Sequence, residues 1–445
     1  MNLINLFSEN IILKIGDIIT GQTVTKKLDY LLKSQWWDEN KLKQYQDERL
    51  RLLIKHSIET VPFYQQLFKD LRLKANDIKT QEDLMKLPIL TKTTIKKEGI
   101  ERFTSSAIPK NRIRNCSSSG STGEPLFYFN TKEAYSMILA ANLRGWYWMN
   151  YRVGDRYIKL SQNVRKSFIK RLQDGMSRNL YLATNPLVDS NFEYILNEIE
   201  HYKPKVIRCY PDPLLFLARY KRSHPEFSYK PQAITTTGNT LHPETRAEIE
   251  SSFGCKIFDS YSCEGNSTVF ECPTHTCYHS TEEYGISEVI DDNDNKVKTG
   301  IGRLISTDLW NLAHPFIRYD TQDYIEIDDR QCICTRKLMR INKILGRDNE
   351  VLIMDTGRRF IVHNFTGFFQ VDSPLINRSI DQFQIVKKEE GSVLFRLVVN
   401  NRFNKSVGNY ICTFWGNELK TQVAIEIVDK IPLIASDKHR FIVNE

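Results

Sequence analysis

Helical and β-like spacings of apolar residues alternate along the chain and divide it into unlike stretches. In YQDERLRLLIKHSIETV (45–61) Leu50, Leu53, Ile54 and Ile58 recur at helical intervals, and Pro62 follows to stop the run. KEAYSMILAANLRGWYWM (132–149) reads as a second helix, long and mostly buried. From 156 to 262 short β-like runs alternate with helical ones: RYIKLS, NFEYILNEIEHY, KVIRC, DPLLFLARYKR, AITTTG, HPETRAEIESSF and CKIFDSYS. That alternation predicts an α/β layer fold with parallel strands. Between 284 and 328 the runs YGISEVID, GRLISTDL and DYIEID are strand-rich and predict a β subdomain attached to the α/β core. After Gly346-Arg347 the pattern changes to a hairpin over 382–399 and a strand at VAIEIV (423–428). The boundary is placed at 346, between a large N-terminal domain (1–346) and a small α+β C-terminal domain (347–445).

Length and composition agree with this division. A chain of 445 residues exceeds the roughly 250–300 at which single cores stop growing. Hydrophobic residues make up 41% and charged residues 26%, and no apolar run is long enough to span a bilayer. The opening MNLINLFSENIILKIGDIITG lacks a basic leading region and is interrupted by Glu9, Lys14 and Asp17, so it does not read as a signal peptide. A helix packed on its own domain is the expectation there, and peripheral contact with a membrane is the alternative. Nine cysteines without a signal point to a reducing compartment, hence the cytoplasm, where clustered thiols serve metals or chemistry. The net charge of +8 is spread along the chain beside nearly as many acids, and no nucleic-acid motif accompanies it. Nucleic acid is therefore not an expected partner.

Two stretches carry candidate chemistry. SSGSTGEP (118–125) precedes the β-like LFYFNT, and a Ser/Thr/Gly loop beside a strand suits phosphates because its amides and hydroxyls turn toward an anion. It lacks the Gly-Lys-Ser/Thr ending of a Walker A loop. ECPTHTCYH (271–279) packs Cys272, His275, Cys277 and His279 into a span too cramped for a complete tetrahedral shell. Structural zinc sites usually join two ligand pairs from separate segments, and Cys332-Ile333-Cys334 offers a second pair.

SSGSTGEP resembles the phosphate-binding signature of the adenylate-forming superfamily. IFDSYSCEG resembles its aromatic-plus-Glu motif, PFIRYDTQDY its Tyr-x-Thr-x-Asp motif, ILGRDNEVL its Gly-Arg hinge and IPLIASDKHRF its C-terminal lysine motif, all in the family's order. LIKHSIETVPFYQQLF and DLMKLPILTKTTIKK are similar to the opening of phenylacetate-CoA ligases and of the related capsule-polysaccharide-biosynthesis adenylating proteins. The resemblance covers nearly the whole chain.

It implies attack of a carboxylate on the α-phosphate of ATP, giving an acyl-adenylate and pyrophosphate, then displacement of AMP by a second nucleophile. Ser119, Gly120, Ser121, Thr122 and Gly123 would wrap the phosphates, and Glu264 would sit near Mg²⁺. Tyr261 would stack on adenine opposite Gly238 and Asn239, and Asp323 would accept the ribose hydroxyls. Arg347 would pair with ribose or phosphate, and Lys438 would reach the charge developing between carboxylate and α-phosphate. Asp437 stands where the family usually has Gly, and the Tyr261-to-Glu264 spacing is one residue short. Phenylacetate-CoA ligase relatives often show Glu-Cys, a His seven positions after that Cys, then Cys-x-Cys before the hinge. Cys272, His279, Cys332 and Cys334 match this pattern, which implies a structural zinc and leaves His275 and Cys277 as bystanders or substitutes.

The acyl acceptor implied is CoA. The capsule branch suggests an amine or sugar acceptor instead, and a rival of another class is a non-catalytic member that uses the fold for binding. A homodimer is left open. RGWYWMNY (144–151) could line a pocket for an aromatic acid, though such aromatics more often serve the core.

Overall fold

The computed structural model describes residues 3–445 apart from 118–125, 162–167, 185–187, 239–240, 242, 264–265, 292, 348–350, 356–358, 362–364, 366–367, 370–375, 377–378, 430 and 432–440. It separates into two compact units, one of residues 1–118 with 126–344 and one that includes 345–445.

The first unit carries thirteen strands: β1 (Ile113–Ser117), β2 (Phe127–Thr131), β3 (Tyr157–Ser161), β4 (Asn179–Ala183), β5 (Val206–Cys209), β6 (Ala233–Thr237), β7 (Lys256–Cys263), β8 (Asn266–Glu271), β9 (Tyr278–His279), β10 (Gly285–Ile290), β11 (Gly300–Asp308), β12 (Tyr319–Ile327) and β13 (Arg340–Arg347). β1 and β2 pair as a hairpin. The other eleven form one sheet in the order β10-β11-β12-β13-β9-β8-β7-β6-β5-β3-β4. Strands β3 to β7 are parallel, as the alternating runs predict. Direction reverses at β8 and again at β9. The strand-rich stretch 284–328 is joined edge to edge with the parallel strands, so the β subdomain continues the same sheet.

Both faces of the parallel part are covered. Ile207, Ile234 and Ile257 pack under the helices Asp189–Tyr202, Pro211–Ser223 and Pro243–Phe253 through Leu196, Leu217 and Phe253. Their neighbours Val206, Ala233 and Phe258 turn to the opposite face and pack on Trp146 of the helix Lys132–Trp148. Side chains alternate sides along a strand, so adjacent apolar residues on one strand require a layer on each side.

The N-terminal helices form a separate core. Leu50, Leu53 and Ile54 are wholly buried on the helix Glu39–Thr60, which Asp38 caps by accepting the Lys41 amide and which ends before Pro62. They share that core with Tyr64, Phe103, Tyr284 and Phe316. Inside the protein Arg144 pairs with Glu283 (2.7 Å), whose same oxygen accepts the Ser34 hydroxyl at 2.6 Å.

In the second unit β16 (Ile380–Lys387) and β17 (Val393–Val399) form the hairpin anticipated over 382–399, following a short β14–β15 pair (Val351–Ile353, Arg359–Ile361). β18 (Val423–Ile427) and β19 (Ile442–Asn444) extend it to four strands. The helix Lys405–Leu419 packs there, with Trp415 stacked on Phe365 at 4.3 Å between ring centroids.

One close approach fixes the layer beneath the sheet. A Cβ added at Gly145 would overlap the Phe270 ring on β8. Gly145→Ala is expected to destabilise the chain by about 1–3 kcal/mol, read as a lower urea midpoint at unchanged slope. An unchanged midpoint would show that the ring has room to turn.

Candidate functional site

Gly238, Tyr261 and Asp323, drawn from three separated segments, are placed by the central sheet. β6 and β7 run parallel to the pair Thr237 with Ser260, so Gly238 lies at the level of Tyr261. Gly238 has φ of +86°, and a Cβ there would overlap the ring of Tyr210, so both torsion and space require glycine. Tyr210 went unnoticed in the sequence because a lone tyrosine between strand and helix carries no pattern.

Irregularities in the sheet sit beside both functional side chains. Pairing of β7 with β8 shifts register between Tyr261 and Cys263, and pairing of β11 with β12 shifts between Arg303 and Ile305. In the second, Thr321, Gln322 and Asp323 stand against Leu304 alone, and Gln322 adopts φ of +64°. Bulges of this kind re-aim side chains out of the alternation. Asp323 gains from it: its amide donates to Thr321 Oγ1 (3.2 Å), and that hydroxyl donates to Leu304 O (2.8 Å).

The Tyr261 hydroxyl donates to Asp323 Oδ2 at 2.5 Å. Burial, then the charge of Asp323, holds the Tyr261 phenol well above its ordinary range, so it remains a donor and orients the carboxylate. The N-terminal LPIL segment braces the start of β12. Leu90 N–H donates to Arg318 O (2.8 Å), Asp320 N–H donates to Leu90 O (2.9 Å), and the Arg318 guanidinium donates to Leu87 O (2.6 Å) and pairs with Glu288 (3.2 Å).

Arg347 is the last residue of β13, after Gly346 with φ of +93°. Ser119, Gly120, Ser121, Thr122, Gly123, Asn239, Glu264 and Lys438 lie outside the described residues.

A second cluster lies where β8 turns into β9. Cys272 N–H donates to Cys277 O (2.8 Å), and His275 takes φ of +56° to close the turn. This brings Cys272 and Cys277 together, and Cys332 arrives from the loop between β12 and β13. Cys332 Sγ is 3.5 Å from both Cys272 Sγ and Cys277 Sγ, and Cys277 Sγ is 3.8 Å from His279 Nε2. The ligand atoms of Cys272, Cys277, His279 and Cys332 all lie within 4.8 Å of one another. Cys334 Sγ adds a fifth donor 3.2 Å from His279 Nε2. Cys277, which the resemblance leaves as a bystander or a substitute, lies inside the cluster, where the left-handed His275 tightens the turn. His275 lies apart, with Nδ1 3.1 Å from Glu271.

These separations approach the ~3.3–3.8 Å between donors of a tetrahedral shell with metal–sulfur bonds near 2.3 Å. His279 Nδ1 faces Leu338 O at 3.3 Å, an acceptor, which leaves Nε2 turned to the thiols. Burial alone would push His279 down, but hydrogen bonds with Cys272 and Cys334 outweigh it and hold it up to about 10. Thiols and one imidazole so placed could hold a soft or borderline cation.

Buried polar groups tie this cluster to β7. Glu271, next to Cys272, accepts the Asp259 amide (2.7 Å) and Arg246 Nη2 (2.8 Å). Tyr278, between Cys277 and His279, donates to Asp259 Oδ2 (3.0 Å), and Thr236 donates to Oδ1 (2.5 Å). Asp259 stands two residues before Tyr261. Burial first, then the charge of Glu271, pushes its carboxyl up to about 6, against the pull of the hydrogen bond from Thr236.

No family model matches the chain. It is 26% identical over 394 residues to a phenylacetate-coenzyme A ligase of Thermus thermophilus, covering 83% of this chain and 84% of that protein. A solved structure of 2-hydroxyisobutyryl-CoA ligase in the postadenylation state, in complex with R3-HIB-AMP, matches with a TM-score of 0.67 and 16% identity over 93% of this chain and 92% of that one. The same ligase with 2-HIB-AMP and CoA in the thioesterification state gives a TM-score of 0.64 at 17% identity, over 93% and 92% of the two chains. The fold is that of adenylate-forming acyl-CoA ligases, and the resemblance to phenylacetate-CoA ligases carried by the motifs holds along the sequence.

Asp259 gives a pH dependence of definite sign. Its folded value of about 6 stands above the ordinary 3.8, so ionisation weakens the fold; the penalty is absent below about 3.8 and complete above about 6. Asp259→Asn is expected to match the wild type below pH ~4 and to gain up to roughly 3 kcal/mol on it by neutral pH. Melting temperatures across that range check this, and a constant difference between the two proteins would overturn it.

Proposed function

We propose that the chain activates a carboxylic acid as its acyl-adenylate and then transfers the acyl group to CoA. The observation that carries this reading is the bond from Tyr261 to Asp323, which unites two separately recognised motifs beside Gly238. The likeness to a ligase crystallised with an acyl-adenylate and CoA supports it.

In the first step a carboxylate oxygen bonds to the α-phosphorus of ATP and the bond to the departing pyrophosphate breaks. In the second, the CoA sulfur bonds to the acyl carbon, AMP leaves, and the thiol proton passes to solvent. Tyr261 would stack on adenine with Gly238 and Asn239, and Asp323, its carboxylate already oriented by the phenol, would accept the ribose hydroxyls. Ser119, Gly120, Ser121, Thr122 and Gly123 would supply donors to the β- and γ-phosphates, and Glu264 would hold Mg²⁺. Arg347 pairs with ribose or phosphate, and Lys438 meets the charge between carboxylate and α-phosphate. Residues 1–346 bind ATP and acid, and 347–445 deliver the lysine.

The thiol-imidazole cluster is proposed as a structural zinc site. Cys272, His279 and Cys332 form its shared part, and Cys277 and Cys334 compete for the fourth place. Zinc there would fix the β8–β9 turn against the loop before β13 and, through Tyr278 and Asp259, the strand that carries Tyr261.

Pyrophosphate exchange screened over aryl, fatty and amino acids tests the reading. Asp323→Ala is expected to raise the KM for ATP roughly 10- to 100-fold, while Lys438→Ala abolishes exchange with ATP affinity retained. Undiminished exchange in the lysine variant would remove that assignment. CoA consumed with the best acid supports the thioester; product formed only with an amine or sugar acceptor replaces it, and no exchange with any acid favours a binding role. For the metal, elemental analysis should find about one zinc per chain, lost in a Cys332→Ser/Cys334→Ser variant, which leaves three donors; full zinc retention in that variant, or no zinc in the wild type, would rule the site out.

A further inference from the structure

Residues 3–20 form a continuous helical stretch, Leu3–Phe7, Ser8–Ile12 with π-type bonding, and Leu13–Thr20. A surface helix normally buries its apolar stripe and shows water its polar one. Here Asn5, Ser8, Glu9 and Asp17 face the protein. Asn5 Nδ2 donates to Val153 O (3.1 Å) and Asp155 Oδ1 (3.0 Å), and Ser8 is buried against Gly154. Glu9 accepts from the Tyr147 hydroxyl (2.5 Å), and Asp17 accepts the amides of Val24 (2.9 Å) and Thr25 (2.8 Å).

The apolar side chains face water. Leu3, Phe7, Ile11 and Ile15 recur every fourth residue, Ile18 and Ile19 continue the row, and all six are exposed, with Leu3 at 84%, Ile18 at 81% and Ile19 at 75%. Exposed apolar rows of this extent mark interaction surfaces. The expectation of a helix packed on its own domain is met by these polar side chains and by the half-buried Leu13, which packs on the N-terminal core.

The charge pattern chooses the partner. Both acids of the stretch are engaged inward, so its outward charge is the exposed Lys14. Lys14 lines a cleft of ≈ 590 Å³ with the exposed Lys26 and Lys33, beside Asp17 and Asp29. No helix among the described residues is long and apolar enough to cross a membrane.

We propose that this helix lies on the surface of an anionic lipid bilayer, its aliphatic row among the acyl chains and Lys14, Lys26 and Lys33 at the headgroup phosphates. An amphipathic helix with an apolar face and flanking lysines binds in this way. The inference is independent of the acid-activating reading, because it rests on none of the residues of the candidate site.

Flotation of the full chain with vesicles of equal parts phosphatidylglycerol and phosphatidylcholine tests it. The wild type is expected to float with these vesicles, less so in high salt, and little with phosphatidylcholine alone. Ile11→Glu with Ile18→Glu should lower the bound fraction at least about tenfold, and Lys14→Glu with Lys33→Glu should weaken binding to anionic vesicles while leaving circular dichroism unchanged. A wild type that does not float, or an isoleucine variant that floats equally well, overturns the proposal. So does a wild-type dimer in sedimentation that the isoleucine variant breaks without any vesicle binding, which would assign the row to a second copy of the chain.

Discussion

The reversal of chain direction after β7 constrains everything near the candidate site. Up to β7 the strands run parallel, and their C-terminal ends bring Gly238 and Tyr261 to one rim. Open α/β sheets bind ligands at such carboxyl ends. β8 then returns antiparallel, so the chain leaves the rim and makes its next turn at the far end of the sheet, where the thiols gather. One topological event therefore places the proposed nucleotide site at one end of β7 and β8 and the candidate metal at the other.

The two ends communicate through buried polar groups. Asp259 and Glu271 lie on neighbouring strands, linked by the Asp259 amide, and each also holds a group from the thiol turn: Tyr278 for the first, His275 for the second. Arg246 answers the charge of Glu271. Such a network is costly when a member is missing, because a buried acid without partners is worse than none.

Local patterns were readable where the physics is local. The hairpin of Ile380–Lys387 and Val393–Val399 and the burial of Leu50, Leu53 and Ile54 follow from period and turn residues, and the parallel strands follow from alternation. The order of strands in the sheet was not readable, since β9 and β13 meet across some sixty residues with no signature in either. Tyr210 was missed for the same reason, as was the role of the Arg144–Glu283 pair. The place of Cys277 among the thiols was not readable from the resemblance, because it depends on the left-handed His275, which shortens the path between Cys272 and Cys277. Motif resemblance located Tyr261 and Asp323 but not the bulges that aim them.

The long-range bonds of the N-terminal region also bear on synthesis. Ser34 awaits Glu283, 249 residues later, Tyr64 awaits Pro315, 251 residues later, and Leu87 awaits Arg318. At ribosomal rates of ~5–20 residues per second, about 12–50 s separate the emergence of these partners. For that interval the helices of the first hundred residues have an unfinished core, and the nascent chain becomes a client for whatever shields apolar surface in the cell.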